Sequence, residues 1–304
     1  MIIDEYRGIG LTSLRLTAWD RLISFTLSEL RQTPQQNESE WASCSFLCLT
    51  YSAEFFWIMI FSYAIVVPMA NEEDDFEAFV AVLREALDRI GSGAVYFVVD
   101  GVSKDATRRL CEELSAADER FVTVWAPENR NVVDAYLRGY REAYAGGYEY
   151  IIEMDGGLSH DPRALPMFLR VLNEGNECAF GSRFMNGGSI CDSNPRRTFL
   201  SRSGTILSNV LLGTKLHDMT SGYQGFHRSV VASFMNYPLL SKAHFYQTEL
   251  RYLLRKTRYA EVPIHYRAPS PRVSRNAIRN SFAVLFHYFF RRLRFQSTFI
   301  KQPS

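Results

Sequence analysis

Residues 150–162 read Tyr150-Ile151-Ile152-Glu153-Met154-Asp155-Gly156-Gly157-Leu158-Ser159-His160-Asp161-Pro162. An apolar run ends on a carboxylate, then two glycines and a Ser/Asp/Pro turn follow. The run from Tyr148 to Met154 has the length and composition of a strand buried on both faces. The glycines let backbone approach a ligand closely. Asp155 is therefore a carboxylate at a strand end, suited to Mg²⁺ or Mn²⁺ on a diphosphate, since hard cations prefer oxygen ligands. The same residues also read as a helix start, with Ser159 or Asp161 capping ahead of Pro162, and the two readings are compatible.

Upstream, strands and helices alternate. Tyr63-Ala64-Ile65-Val66-Val67-Pro68 is a buried first strand. Asp75 to Ile90 carries Phe76, Phe79, Val80, Leu83 and Leu87 at helical spacing. Val95 to Val99 is a second strand ending at Asp100, Ala106 to Ala117 a second helix, Phe121 to Trp125 a third strand and Val132 to Tyr144 a third helix. This order predicts an α/β fold, with a mostly parallel central sheet, right-handed crossovers and helices on both faces. Ligands of such sheets sit beyond the carboxyl ends of the strands, where this chain carries Pro68–Glu72, Asp100 and Asp155. Any one cluster reads as turn chemistry; three at consecutive strand ends point to a ligand. No GxGxxG follows the first strand and no GxxxxGK[ST] occurs anywhere, which argues against a Rossmann dehydrogenase or a P-loop nucleotidase. A phosphate site here must rely on cations.

Downstream, Gly181-Ser182-Arg183 follows another apolar run, and Arg196-Arg197-Thr198-Phe199-Leu200-Ser201-Arg202 opens a helix. Guanidinium groups bind phosphates bidentately without losing charge, although an arbitrary pair of arginines more often forms a solvated basic face. Asp218-Met219-Thr220-Ser221-Gly222-Tyr223 sets an acid beside a Ser/Gly turn. That acid either faces a reacting hydroxyl or phosphate, or caps the turn.

The 304 residues, 47% hydrophobic and 22% charged, suit one globular domain with extensions. A net charge of +1 gives no global reason to expect nucleic acid. Cys44, Cys48, Cys111, Cys178 and Cys191 are scattered without CxxC spacing, the pattern of buried free thiols in a reducing compartment. No secretory signal pattern opens the sequence. Phe55 to Val67 is apolar but shorter than the ~20 residues a membrane helix needs, and Glu54 precedes it. We read Met59 as the natural start, with 1–58 an upstream extension, 59–270 the folded domain and 271–304 a basic, aromatic C-terminal helix and tail. In that helix Phe282, Leu285, Phe286, Tyr288, Phe289 and Phe290 precede Arg291, Arg292 and Arg294. It is either an interfacial amphipathic helix or a core-packing helix with a solvated tail.

In this order, the segments resemble an inverting family-2 glycosyltransferase of the GT-A fold, similar to dolichyl-phosphate mannose synthases and other polyprenyl-phosphate glycosyltransferases. The pieces are Val66-Val67-Pro68 with Asn71-Glu72, Asp100 with Ser103-Lys104-Asp105-Ala106-Thr107, Glu153-Met154-Asp155 with Ser159-His160-Asp161-Pro162, and Gly181-Ser182-Arg183. They continue with Arg197 and Ser201-Arg202, Asp218 with Thr220-Ser221-Gly222, Tyr246-Gln247-Thr248-Glu249, and Glu261-Val262-Pro263-Ile264. The resemblance implies that Pro68 and Glu72 contact base and ribose, Asp100 the base edge, and that Asp155 carries Mg²⁺ or Mn²⁺ on the diphosphate. It implies that Arg183, Arg197 and Arg202 meet the acceptor phosphate or the transferring diphosphate, and that Gln247 and Glu249 face the sugar or support the metal. The implied donor is GDP-mannose or a UDP-hexose, the acceptor a polyprenyl or dolichyl phosphate, and the location the cytoplasmic membrane surface. An ionised phosphate acceptor needs no strong general base, which leaves Asp218 a positioning role.

The chain departs from that pattern. Gly157 replaces the second acid of the usual DxD, Asp100-Gly101-Val102-Ser103 replaces Asp-Asp-Gly-Ser, Ala70 replaces an aromatic and Gln224 an arginine. The late Arg-x-x-Gly-x-Ser-Lys pattern is not intact between Arg267 and Arg275. Two alternatives therefore stand beside the first reading: a family-2 transferase acting on a glycan acceptor, and a catalytically silent module that binds nucleotide sugar.

Overall fold

The computed structural model describes residues 62–91, 93–191, 195–267, 274–296 and 298–300, the side chains of Arg196 and Arg197 excepted. The proposed extension 1–58, the start at Met59, Cys44 and Cys48, the Arg197 side chain and Arg272 lie outside the described residues.

The expected alternation is present: β1 (Tyr63–Met69), α1 (Phe76–Ile90), β2 (Gly93–Val99), α2 (Thr107–Ala117), β3 (Phe121–Trp125), α3 (Val132–Ala145) and β4 (Tyr150–Glu153). A short 3-10 turn at Pro162–Ala164 leads into α4 (Leu165–Asn173), then β5 (Cys178–Ser182), β6 (Ser189–Cys191) and α5 (Pro195–Leu212). The remainder is β7 (Gln224–His227), α6 (Arg228–Phe234), α7 (Phe245–Leu253), β8 (Tyr259–Pro263), β9 (His265–Arg267) and α8 (Arg275–Leu293).

Seven strands form one sheet in the order β3-β2-β1-β4-β7-β5-β8. All neighbours are parallel except β7, which runs antiparallel to both β4 and β5. β1 pairs in parallel with β2, from Tyr63 opposite Gly93 to Met69 opposite Val99, and with β4, where Val66 lies opposite Glu153. Its side chains alternate between two cores. Ala64 and Val66 join Tyr96, Tyr136 and Tyr140 under α3, α6 and α7. Tyr63, Ile65, Val67 and Met69 join Phe79, Leu83 and Leu169 under α1, α2 and α4. Burial on both faces is why the strand reads as a continuous apolar run rather than an alternating one. Helix α3 lies so close to β1 that a Cβ at Gly139 would sit 2.2 Å from Val66 Cγ1. That glycine sets the helix–sheet spacing.

The C-terminal helix packs on the core through one face and leaves another exposed. Val284, Leu285 and Tyr288 are buried in the core, while Phe282, Phe286 and Phe290 are exposed. Arg292 donates to the carbonyls of Val210 and Leu211 at 3.2 and 2.9 Å, fastening α8 to the carboxyl end of α5. Among the described residues no helix is long and apolar enough to cross a membrane. Of the cysteines described, Cys111 and Cys178 are buried free thiols as expected, whereas Cys191 is exposed.

Candidate active site

The loops after β1 and β2 are tied together. Asn71, in the left-handed region at φ 58°, accepts from Lys104 N at 2.9 Å, and its own N–H donates to Ser103 Oγ at 3.2 Å. Glu72 N–H donates to Thr107 Oγ1 at 2.8 Å, and Glu73 N–H to Asp105 Oδ2 at 3.0 Å. Two motifs read separately in the sequence thus form one wall, which presents Pro68 and Glu72 to the turn after β4. A Cβ on Gly156 would meet Pro68 O at 3.0 Å and Glu72 Cγ at 3.5 Å. Gly157 has φ +68°, and a Cβ there would meet Glu72 Oε2 at 2.9 Å. Both the backbone conformation and the approach of Glu72 call for glycine.

Asp155 opens this turn with its side chain 28% exposed. Tyr136 donates to its Oδ1 at 2.5 Å, and its N–H donates to His160 Nδ1 at 3.0 Å. Burial opposes the charge on Asp155, but the polar and cationic groups around it, the Tyr136 hydroxyl and Arg183 among them, outweigh it and hold the carboxyl below its usual range. His160 is itself buried, which lowers its pKa, and an Nδ1 that accepts a hydrogen bond belongs to the neutral ring. It packs between Tyr223 and Tyr266, with ring centroids 5.0 and 5.3 Å away.

Beneath Asp155 lies Glu153, fully buried. Tyr140 and Tyr246 donate to its Oε2 at 2.6 and 2.5 Å, and Gln224 Nε2 to its Oε1 at 2.8 Å. Burial pushes this carboxyl up to about 7 against those three donors. The register is simple: Tyr136 and Tyr140 are one helical turn apart, roughly 6 Å, and Glu153 and Asp155 are two residues apart, roughly 6.6 Å in an extended chain. One face of α3 therefore serves both acids.

A second cluster borders the first. Asp218, fully buried, accepts from Arg183 Nε at 2.7 Å and Nη2 at 2.9 Å, and from Arg183 N at 3.1 Å. Arg183 Nη2 also donates to Thr220 Oγ1 at 2.6 Å. Burial works against ionisation of Asp218, but the Arg183 and Arg251 guanidinium groups and Thr220 N–H hold it at about 2. Arg251 lies behind, fully buried, donating to the carbonyls of Asp218, Gly181 and Ser221 and to Gln224 Oε1. Glu261 on β8 accepts from the N–H groups of His217 and Asp218 at 2.9 and 3.3 Å. The 217–222 loop is thereby held by Arg183 just after β5, by β8 and by α7.

Pro68, Glu72, Asp155, Arg183 and Asp218 fall within this connected region. Gln247 joins them: a Cβ on Gly222 would meet Gln247 Nε2 at 2.6 Å and His160 Cε1 at 3.2 Å. Glu249 lies elsewhere. Its carboxylate accepts from Leu240 N, Ser241 N and Tyr288 Oη at 2.8, 2.8 and 2.7 Å, so it anchors α8 and a loop rather than a metal. Arg202 is exposed, its guanidinium 5.0 Å over the Phe184 ring. Asp100 accepts from Val102 N at 3.0 Å as a turn cap. Sequence reading overlooked Tyr136, Tyr140, His160, Gln224 and Arg251 as site residues. The i, i+4 tyrosine pair ahead of a strand bearing two acids was the available signal.

Asp155 fits a divalent cation that arrives with a diphosphate, since the glycine turn brings backbone within reach and the carboxylate is open. Among the described residues no cluster of three or more His, Cys, Asp or Glu side chains forms a protein-only cage. None is needed, because Mg²⁺ typically takes one or two carboxylates and completes its shell with phosphates and water.

The model of the family described as Glycosyl transferase family 2 matches residues 64–234, over half of the chain. A polyprenol monophosphomannose synthase from Mycolicibacterium smegmatis is 30% identical over 205 residues, covering 66% of this chain and 76% of that protein. An undecaprenyl-phosphate mannosyltransferase from Micrococcus luteus is 26% identical over 203 residues, covering 66% and 82%. The fold is similar to that of glucosyl-3-phosphoglycerate synthase from Mycobacterium tuberculosis crystallised with UDP, at TM-score 0.56 and 17% identity, covering 84% of this chain and 85% of that one. The same enzyme with Mn²⁺, UDP-glucose and phosphoglyceric acid gives TM-score 0.57 and 15% identity, covering 86% and 85%. With its GT-A sheet, its Asp155-centred turn and these relatives, the chain belongs to glycosyl transferase family 2 and is a glycosyltransferase.

Proposed function

We propose that this glycosyltransferase moves a sugar from a nucleotide-diphosphate sugar, GDP-mannose or a UDP-hexose, to a polyprenyl phosphate with inversion at the anomeric carbon, residues 59–270 being the catalytic unit. The observation that carries the acceptor class is the commitment of Asp218. Both its oxygens are held by Arg183 and Thr220, and its carboxyl stays ionised down to about pH 2. It is therefore a poor proton acceptor for a sugar hydroxyl. A phosphate monoester is already anionic and needs no base, and the pinned Arg183 guanidinium is suited to receive it. Both relatives, a polyprenol monophosphomannose synthase and an undecaprenyl-phosphate mannosyltransferase, fit that acceptor.

In this reading Pro68 and Glu72 border the nucleotide, Asp155 holds Mg²⁺ or Mn²⁺, Gln247 lies toward the sugar, and Arg197 and Arg202 serve the phosphates. The bound cation would supply charge neutralisation on the leaving diphosphate. Tyr136, whose hydroxyl donates to Asp155 Oδ1, and His160, whose Nδ1 accepts from Asp155 N, fix the orientation of Asp155, and Arg251 fixes the loop that presents Arg183.

The paired helices α5 and α8 supply a membrane-facing surface. Phe199 and Val210 on α5 are 73% and 68% exposed, and Phe286 and Phe290 on α8 are 42% and 52% exposed. Arg275, Arg279, Arg291 and Arg294 are exposed on α8 and its end, a combination suited to anionic headgroups. A screen of GDP- and UDP-sugars with Mg²⁺ or Mn²⁺ and a short polyprenyl phosphate tests the reading. Transfer from one donor, lost in Asp155→Asn, is expected. Binding without transfer from any donor would favour the silent module, and transfer to a glycan but not to the lipid would favour the other acceptor.

A further inference from the structure

The acid missing at 157 leaves a space, and the structure fills that space with another carboxylate. Glu72 comes from the β1 loop, and its N–H is held by the buried Thr107 hydroxyl at 2.8 Å. Its stem crosses Gly156, where a Cβ would sit 3.5 Å from Cγ, and its carboxylate covers Gly157, where a Cβ would sit 2.9 Å from Oε2 and 3.8 Å from Cδ. The carboxylate of Glu72 has no hydrogen-bond or ion-pair partner among the described residues. A half-buried carboxylate left without a partner over the turn that Asp155 opens is an unfavourable arrangement in isolation, and a cation shared with Asp155 relieves it.

We infer that Glu72 supplies the second protein carboxylate of the Asp155 cation site, occupying from β1 the place that an acid at 157 would occupy from the β4 turn. The inference rests on the nucleotide-sugar reading above. Gly157, the departure from the family pattern, is what gives Glu72 room. Two protein carboxylates with diphosphate oxygens and water complete the shell of a Mg²⁺-like ion.

The test reads cation binding rather than turnover. Free Mn²⁺ is measured by electron paramagnetic resonance while the full chain is titrated in the presence of GDP and, separately, of UDP. Glu72→Gln, nearly isosteric, is expected to weaken nucleotide-dependent Mn²⁺ binding by at least the roughly 10–100-fold that even an outer supporting group costs, with an unchanged denaturation midpoint. Glu72→Ala/Gly157→Asp, which clears the turn and moves the acid, is expected to bind more tightly than Glu72→Gln, since Asp tolerates the left-handed region better than most residues. Wild-type Mn²⁺ affinity in Glu72→Gln, with affinity lost in Asp155→Asn, would overturn the inference and leave the transferase reading intact. Wild type that binds nucleotide without retaining Mn²⁺ would overturn it likewise. A chain that binds neither nucleotide would overturn both.

Discussion

Replacing Asp218 by Asn probes the buried ion pair that presents Arg183. The carboxylate takes three hydrogen bonds from Arg183 and two from Thr220, on side chains 0% and 6% exposed for Asp218 and Arg183. An asparagine offers one oxygen. Its amide must face either Arg183 N and Nε or Arg183 Nη2 and Thr220, donor against donor, and the guanidinium loses its counter-charge. Breaking one side of a buried pair costs about 3–5 kcal/mol, a large share of the roughly 5–15 kcal/mol that holds a domain folded. The pH dependence checks the cause. The folded carboxyl sits at about 2 against an ordinary 3.8. A depressed folded value gives stability that is fully present above pH 4 and is lost as pH falls toward 2. About 1 kcal/mol of that contribution is gone by pH 3. Urea denaturation of wild type and Asp218→Asn, with a common slope, should therefore show a gap of about 3–5 kcal/mol at pH 7 that narrows by about 1 kcal/mol at pH 3. A gap below about 1 kcal/mol at pH 7, the range of exposed pairs, or one insensitive to acid, would refute the reasoning.

Other consequences are open to measurement. Tyr136→Phe removes the 2.5 Å hydroxyl from Asp155; kcat/KM should fall by about tenfold as for an outer supporting group, while stability changes by about 1 kcal/mol. Glu249→Ala should lower stability by about 2–4 kcal/mol, since two N–H groups and the Tyr288 hydroxyl lose their acceptor, yet leave nucleotide-dependent Mn²⁺ binding of the folded protein unchanged; lost Mn²⁺ binding would return Glu249 to the metal site. Phe286→Glu/Phe290→Glu should abolish flotation with anionic vesicles at an unchanged denaturation midpoint, and equal flotation would remove α8 from the membrane face.

The fold was legible where burial imposes a pattern. β1, β2 and β4 are apolar runs because both faces are covered, and α1 carries its apolar residues at helical spacing because only one face is. β7 was not legible: Gln224-Gly225-Phe226-His227 has no strand signature, and its antiparallel place between β4 and β5 comes from partners distant in sequence. The site divides similarly. Asp155, Arg183 and Asp218 stand at strand ends and turns, where polar residues interrupt apolar runs. Arg251 resembles any surface arginine on an amphipathic helix, and only the fold brings four acceptors to it. Glu249 misled for the reverse reason. It lies two residues from Gln247, but helical positions two apart point in different directions, and its carboxylate serves α8.

If Asp155 organises sugar transfer onto a phosphate, acceptor choice and the Asp155 carboxylate must both govern transfer. The most direct measurement offers the full chain a labelled nucleotide sugar with either a short polyprenyl phosphate or the corresponding polyprenol, and counts label in the lipid extract. Label is expected with the phosphate, none with the alcohol, and none with the phosphate in Asp155→Asn. Equal labelling of the alcohol, or undiminished labelling by Asp155→Asn, would contradict it.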